Sequence, residues 1–175
     1  MSNLFTGFLF IFLDFNLILN QGTIGLIPDF VGYIFLVKGI AEMASESTLF
    51  MKVRSLCIGM GIYTGALYAI DLFGIKTQLD WLVVLLGVLS TIISLYISYT
   101  IVCGVQEIEA LRAIDLNGNK LRSTWTYMAI CQVAIYISLF IPLLAFLVAI
   151  ISVIISIIFL INFNTSKNNY NNLNT

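Results

Sequence analysis

The stretch WTYMAICQVAIYISLFIPLLAFLVAIISVIISIIFLINF, residues 125–163, decides the fold class of this chain because it is almost unbroken apolar sequence. As one α-helix it would be about 58 Å long at 1.5 Å per residue, roughly twice the ~30 Å thickness of a bilayer's hydrocarbon core. Pro142 stands near its middle, and proline interrupts a helix because it lacks a backbone N–H. The stretch therefore predicts two membrane helices, 125–140 and 143–162, joined by a tight turn.

The composition of the whole chain is that of a membrane protein. Of its 175 residues, 60% are hydrophobic and 10% are charged, and the mean hydropathy is +1.03. A soluble domain carries about 25% charged residues. A core this small has no room for so much apolar surface, so lipid must cover the remainder. We expect an all-α fold, a polytopic bundle of transmembrane helices.

Four more apolar segments precede this stretch, which gives six predicted spans. Segment one runs from residue 4 to between 16 and 20, and the others cover 28–43, 56–73, 81–105, 125–140 and 143–162. Residues 1–163 would form a single transmembrane domain. Within it, 106–124 is predicted to be a cytoplasmic amphipathic link that first continues helix four and then turns at Asn117-Gly118. The asparagine-rich tail, 164–175, is predicted to be disordered. In the five-span alternative, Pro142 only kinks one tilted helix.

The distribution of basic residues predicts the orientation of the bundle. With six spans, the N-terminus, the two polar links and the tail share one side of the membrane. That side carries Lys52, Arg54, Arg112, Lys120, Arg122 and Lys167, whereas the other side carries Lys76 and a span carries Lys38. Because Lys and Arg accumulate in cytoplasmic loops, both termini are predicted to be cytoplasmic.

A group of acidic and polar residues near the first two segments is the candidate ion or proton site. Asp14 lies within the first apolar run, and Asp29 follows Pro28 at the start of the second. Ionisable residues in a membrane cost about 2.5–3.5 kcal/mol at its centre and therefore suggest function. The two carboxylates would face each other across the first hairpin. The oxygen donors would be Asn16 and Tyr33, with Asp71 completing the site.

A purely structural role is the alternative for these carboxylates. Asp29 would then stabilise the N-terminus of its helix, where the helix dipole favours an anion. Asp14 would hold the turn by accepting backbone N–H bonds. Both readings stay open on the sequence alone.

Small residues predict where helices approach each other. Gly61 and Gly65 form a GxxxG pattern in segment three, which permits close helix contact. Segment four presents Gly87, Thr91, Ser94 and Ser98 on one face. We expect these two stripes to pack against each other. A hydroxyl-lined permeation path or a dimer seam is the alternative.

Several classes of function lack their characteristic residues. The net charge is −1, from 8 Lys and Arg against 9 Asp and Glu, which does not fit a nucleic-acid-binding surface. The chain has no histidine, the commonest general base and metal ligand. The sequence also lacks nucleotide-binding loops, nucleophile motifs and metal-ligand motifs. We therefore expect no enzymatic activity, no cofactor, no metal and no nucleic-acid partner.

Two blocks of the sequence resemble a known family. FLDFN at 12–16, followed by LIPDFVGYIFLVKGI at 26–40, is similar to a box in small uncharacterised bacterial multi-pass integral membrane proteins. In that family LPDFxGY opens the second helix. CGVQEIEALRAIDLNGNKLRSTW at 103–125 resembles the family's cytoplasmic link. The resemblance covers about a third of the chain. It implies a multi-pass protein of the bacterial cytoplasmic membrane and adds no activity.

Two functional classes follow from these observations. The first is a non-enzymatic accessory protein that binds a membrane-protein partner or forms homo-oligomers in the lipid bilayer. The second is a small transporter or channel subunit with a cation or proton site at Asp14 and Asp29.

Overall fold

A computed structural model describes residues 1–12, 16–19, 22–25, 28–73, 80–138 and 141–173, and for 16–19, 22–25, 80–83 and 142 it covers the backbone only. The described chain contains six helices and one short pair of antiparallel strands. The elements are α1 (Ser2–Phe12), β1 (Asn16–Leu19), β2 (Gly22–Gly25), α2 (Asp29–Glu42), α3 (Thr48–Leu72), α4 (Asp80–Arg112), α5 (Gly118–Ser138) and α6 (Pro142–Asn172).

The prediction of a helical membrane protein is confirmed. The helices Thr48–Leu72, Val84–Arg112 and Leu143–Asn172 are long and apolar enough to cross a bilayer. By contrast α1 has 11 residues and α2 has 14, which is about 17 Å and 21 Å of helix. Neither reaches across a hydrocarbon core of ~30 Å, so the count of six spans stays a prediction.

The first segment ends earlier than expected. It was predicted to continue as a helix to between residues 16 and 20, but α1 ends at Phe12. Strands β1 and β2 follow and pair from Asn16 with Gly25 to Leu19 with Gly22. Glycine is a poor helix former and β-branched residues favour strands, and Gly22-Thr23-Ile24-Gly25 combines both. Residues 22–25 therefore form a strand rather than the end of a helix.

The start of α1, the end of α6 and two connections lie at one end of the bundle, which we call the terminal end; the connections are 43–47 and 113–117. Asn3 Nδ2 donates to Glu42 Oε1 at 2.5 Å. The Arg112 guanidinium pairs with Glu46 at 2.5 Å. Asn171 Nδ2 donates to Ser2 Oγ at 3.3 Å. These segments were predicted to lie on the same side of the membrane, and they do lie at the same end of the bundle. Which side of the membrane this end faces stays a prediction.

The polar connections are shorter than expected because the flanking helices continue into them. Helix α3 begins at Thr48, and the Ser47 hydroxyl caps it by accepting the Leu49 N–H at 3.1 Å. Helix α4 continues to Arg112, as expected for a helical extension of segment four, and α5 already begins at Gly118. That the link is amphipathic and cytoplasmic stays a prediction. Asn117 has a φ of 61° between them, a left-handed conformation that asparagine tolerates.

The prediction of a disordered tail is wrong over 164–172, because α6 continues to Asn172. Asparagine is a weak helix former, but tertiary contacts stabilise this segment. The Ser166 hydroxyl donates to the Leu116 carbonyl at 2.5 Å, and Asn169 Nδ2 donates to the Asp115 carbonyl at 3.0 Å. Tyr170 donates to Glu46 Oε1 at 3.0 Å. Residues 174–175 lie outside the described residues.

Helices α1 and α2 are in very close contact through glycines. A Cβ placed on Gly39 would lie 2.6 Å from the Leu4 backbone nitrogen, and one on Gly32 would lie 2.9 Å from the Gly7 carbonyl oxygen. Real Cβ atoms do not approach so closely, so these positions need glycine. The contact fixes α2 beside α1. An aromatic cluster then joins α1 to α6, with the Phe8 and Phe163 ring centroids 5.0 Å apart.

The prediction that the small residues of α3 pack on those of α4 is wrong about the partners. A Cβ on Gly61 would lie 3.3 Å from Tyr33 Cβ and one on Gly65 would lie 3.6 Å from Phe30 Cβ, so both glycines face α2. In α4 Gly87 faces the hydroxyl of Tyr136 in α5. Ser98 accepts a hydrogen bond from Trp125 Nε1, also in α5, at 2.9 Å. The short helix α2 occupies the groove that the GxxxG pattern creates.

Candidate functional site: a polar cavity within the bundle

A cavity of about 260 Å³ lies among five of the helices. Its walls combine apolar residues with one carboxylate, one amide and several hydroxyls. The lining residues are Ile11 and Phe12 from α1, Asp29 and Tyr33 from α2, Met60 and Thr64 from α3, Ser90, Thr91, Ser94 and Leu95 from α4, and Gln132 from α5.

The cavity lies deep within the bundle. Along α4, Ser94 is about 21 Å from Asp80 and about 27 Å from Arg112 at 1.5 Å per residue. Along α3, Thr64 is about 24 Å from Thr48. Helix α2 begins at Asp29, level with this layer, because its glycine contacts with α1 set its position. The polar groups therefore lie within the lengths of α3 and α4, away from the terminal end of the bundle.

The hydroxyls in the cavity are arranged as acceptors. A hydroxyl has one hydrogen to donate and two lone pairs. Thr64 donates to the Met60 carbonyl at 2.8 Å, and Ser90 donates to the Gly87 carbonyl at 2.9 Å. Donation to the preceding turn of the same helix uses the only proton, so the lone pairs of these oxygens are left for other groups. Such a lining is complementary to a cation.

Hydrogen bonds between helices hold two more hydroxyls in place. Thr91 Oγ1 is 3.0 Å from the Gly87 carbonyl and 2.7 Å from the Tyr136 hydroxyl, which joins α4 to α5. Tyr33 of α2 is 3% exposed and lines the same cavity as Ser94 of α4. Fixed oxygens bind a ligand without a further ordering cost.

Asp29 has two roles in this geometry. It is the first residue of α2, where its negative charge stabilises the positive end of the helix dipole. It also contributes the one carboxylate among the described residues that line the cavity. The structural and functional readings of this residue are therefore compatible.

The structure brings some of the predicted site residues together and separates others. Asp29 and Tyr33 line the same cavity. Asp71 is exposed, near the end of α3 and about 10 Å along the helix from Thr64, and it is not among the lining residues. Asp14 and the side chain of Asn16 lie outside the described residues, so the expected pairing of Asp14 with Asp29 stays a prediction.

Sequence reasoning missed part of the site. Thr91 and Ser94 were expected to be packing residues, and they line the cavity. Thr64, Ser90 and Gln132 were not singled out as site residues. Gln132 could have been predicted from the sequence, since an uncharged amide within an otherwise apolar span indicates a polar partner. Thr64 could not have been predicted in this way, because the hydroxyl of a threonine in a membrane helix can donate its hydrogen bond to a carbonyl of the preceding turn of the same helix.

Comparison with family models, curated proteins and solved structures gives no match to this chain. The site therefore rests on its own geometry, and the resemblance carried by 12–16, 26–40 and 103–125 stays a prediction.

Proposed function

We propose that this protein is a small membrane transporter or channel subunit that binds a proton or a small monovalent cation in the cavity at Asp29. One observation carries the proposal: a carboxylate and several acceptor oxygens converge in one cavity among five helices. An intramembrane ionisable residue that faces a polar cavity is costly for stability alone and is typical of ion pathways.

The ligand class follows from the charge of the cavity. Calcium sites usually contain several carboxylates and six to eight oxygens, whereas the described lining has the single carboxylate of Asp29. Within the described ranges no group of three or more His, Cys, Asp or Glu residues is placed to hold a metal. A lining of one carboxylate and several neutral oxygens is the composition expected of a site for a proton or a sodium-sized ion.

The proposed setting is a bundle of six spans with both termini in the cytoplasm of a bacterium. The grouping of the start of α1 and the end of α6 at the terminal end, together with Arg112 and Lys167, supports it. The resemblance to small bacterial multi-pass proteins supports the cytoplasmic membrane. A reporter fused to the C-terminus and active only in the cytoplasm should be active, and an inactive reporter beside an active periplasmic one would overturn this orientation.

Flux measurements in liposomes test the cation proposal. The purified protein should carry protons or sodium, read with a pH-sensitive dye and with radioactive sodium. Asp29→Asn should reduce the flux at least tenfold because it removes the charge from the cavity. Asp71→Asn makes the same change at an exposed site on α3 and should leave the flux within twofold of the parent. A parent protein without flux, or two variants with equal flux, would contradict the proposal.

A non-enzymatic accessory role is the second candidate. The broad apolar faces of the long helices favour it, since they suit a partner helix as well as lipid; Leu143 and Ile161 in α6 are 73% and 60% exposed. A membrane-protein partner or a second copy of the chain would cover such a face. Stoichiometric copurification of one partner, together with a parent protein that carries no ion, would favour this function.

A further inference from the structure

A second hollow lies on the outside of the bundle between α3 and α4, next to the cavity at Asp29, with which it shares Met60 and Ser90. It has a volume of about 250 Å³ and is almost entirely apolar. Its lining residues are Ser55, Leu56, Gly59, Met60 and Tyr63 from α3 and Leu86, Leu89, Ser90 and Ile93 from α4. Leu56, Leu86 and Leu89 are 36%, 39% and 51% exposed, so this groove opens toward the membrane.

Gly59 creates the space in the groove. A Cβ placed there would have no other atom within 4 Å. This glycine differs from those that allow close helix contact in α1 and α2, because its missing side chain leaves a gap rather than admitting a neighbour. The gap does not serve the packing of the described chain.

The dimensions of the groove favour an acyl chain over a helix. From Ser55 to Tyr63 it extends about 12 Å along α3 at 1.5 Å per residue. A 12 Å segment of a helix with side chains, which is at least about 10 Å across, occupies roughly 950 Å³. That is several times the volume of the groove, about 250 Å³. The groove therefore favours a thin occupant such as a hydrocarbon chain.

Lys52 lies on the same helix face, one turn closer to the terminal end. Residues 52, 56, 59 and 63 follow the i, i+4, i+7, i+11 spacing that shares one face of a helix. Lys52 is exposed and is in the first turns of α3, which begins at Thr48. Helical side chains lean toward the N-terminus and lysine extends to the headgroup layer. Its ammonium is therefore expected above the mouth of the groove.

The positive charge of Lys52 favours an anionic lipid headgroup. Among the residues that the structure describes, the one salt bridge joins Arg112 to Glu46, so Lys52 is left to interact with groups outside the chain. The hydroxyl of Ser55 lines the same end of the groove. A cation and a hydroxyl above an apolar slot are complementary to a phosphate with an attached acyl chain.

We propose that the α3–α4 groove binds an anionic phospholipid, with one acyl chain along Gly59 and the phosphate at Lys52. Gly59 and Lys52, which carry this proposal, are not among the residues that line the cavity at Asp29.

Native mass spectrometry of the detergent-solubilised protein tests this site with phosphatidylglycerol and phosphatidylcholine of identical chains. The parent should retain phosphatidylglycerol more strongly. Lys52→Gln should weaken that retention about fivefold, which is the typical effect of one lysine near an anionic surface. Arg54→Gln is the matched control, since Arg54 is exposed on the opposite face of α3, and it should change retention less than twofold.

The groove itself is tested by Gly59→Phe, which fills it without a clash at Cβ. Retention of both lipids should fall to background, whereas Ile58→Phe, on another exposed face, should leave it unchanged. Circular dichroism of each variant serves as the control that it is folded.

Three results would overturn the proposal. One is equal retention of the two lipids in the parent and in Lys52→Gln. Another is full displacement by soluble glycerol phosphate, which would indicate a phosphate site without an acyl chain. The third is a dimer that Gly59→Phe dissociates, since a second copy would then cover the groove.

Discussion

Gly39 illustrates at the scale of a residue how the cavity is positioned. Its missing side chain lets the Leu4 backbone lie against α2, and the resulting α1–α2 contact holds Tyr33 and Asp29 at the level of Ser94. The glycine is therefore part of the support of the site although it is far from the ligand position.

Gly39→Ala should destabilise the protein by about 1–3 kcal/mol, the typical cost of an extra methyl group in a full core. The new Cβ would lie 2.6 Å from the Leu4 nitrogen, and a backbone atom cannot move aside cheaply. The measurement is the free energy of unfolding in mixed detergent micelles.

Gly59→Ala is the matched control for this prediction. It adds the same methyl group to open space, and it should be neutral or stabilising by up to about 1 kcal/mol because alanine is the better helix former. Equal destabilisation by the two changes would contradict the packing explanation.

At the scale of an element, α6 shows that composition and structure can disagree. The segment 164–172 is rich in asparagine and was expected to be disordered. Its side chains instead hydrogen-bond to Glu46 and to the carbonyls of Asp115 and Leu116. The Lys167 ammonium also lies 4.6 Å from the Phe5 ring centroid.

Hydrogen exchange tests the docking of this segment. The amides of 166–171 should exchange at least a hundredfold more slowly than those of an unstructured chain. Tyr170→Ala should remove most of this protection because it deletes both the hydrogen bond to Glu46 and the ring beneath the Arg112 guanidinium. Leu173→Ala, at an exposed position beyond the helix, is the control and should leave it unchanged. Random-coil exchange in the parent would refute the docking.

At the scale of the whole molecule, the arrangement of the six described helices places the start of α1 beside the end of α6. Asn171 and Ser2 are hydrogen-bonded at 3.3 Å although they are 169 residues apart in sequence. This contact follows from the even number of helices that run alternately away from and toward the terminal end.

Cross-linking checks this arrangement in membranes. In a background without the native cysteines, Ser2→Cys with Asn171→Cys should be joined in high yield by a short bifunctional thiol reagent. Ser2→Cys with Asp71→Cys should not be joined, since Asp71 is near the far end of α3. Comparable yields for both pairs, or none for the first, would contradict the fold.

The sequence by itself determined that lipid surrounds this protein and that its fold is helical. An apolar run such as 125–163 needs lipid around it, and Pro142 kinks or breaks its helix, because both effects depend only on local composition and backbone chemistry. The extension of α4 to Arg112 was also predictable from local sequence, because its apolar residues recur at helical spacing.

The tertiary structure decided which faces meet. Gly61 and Gly65 form a groove into which α4 or α2 could pack. The local GxxxG pattern does not specify which of the two helices does so. The polar cavity arises from the same long-range contacts, since Asp29, Thr64, Ser94 and Gln132 come from four helices far apart in the chain. The docking of 164–172 likewise depends on groups that lie 50 or more residues earlier in the sequence.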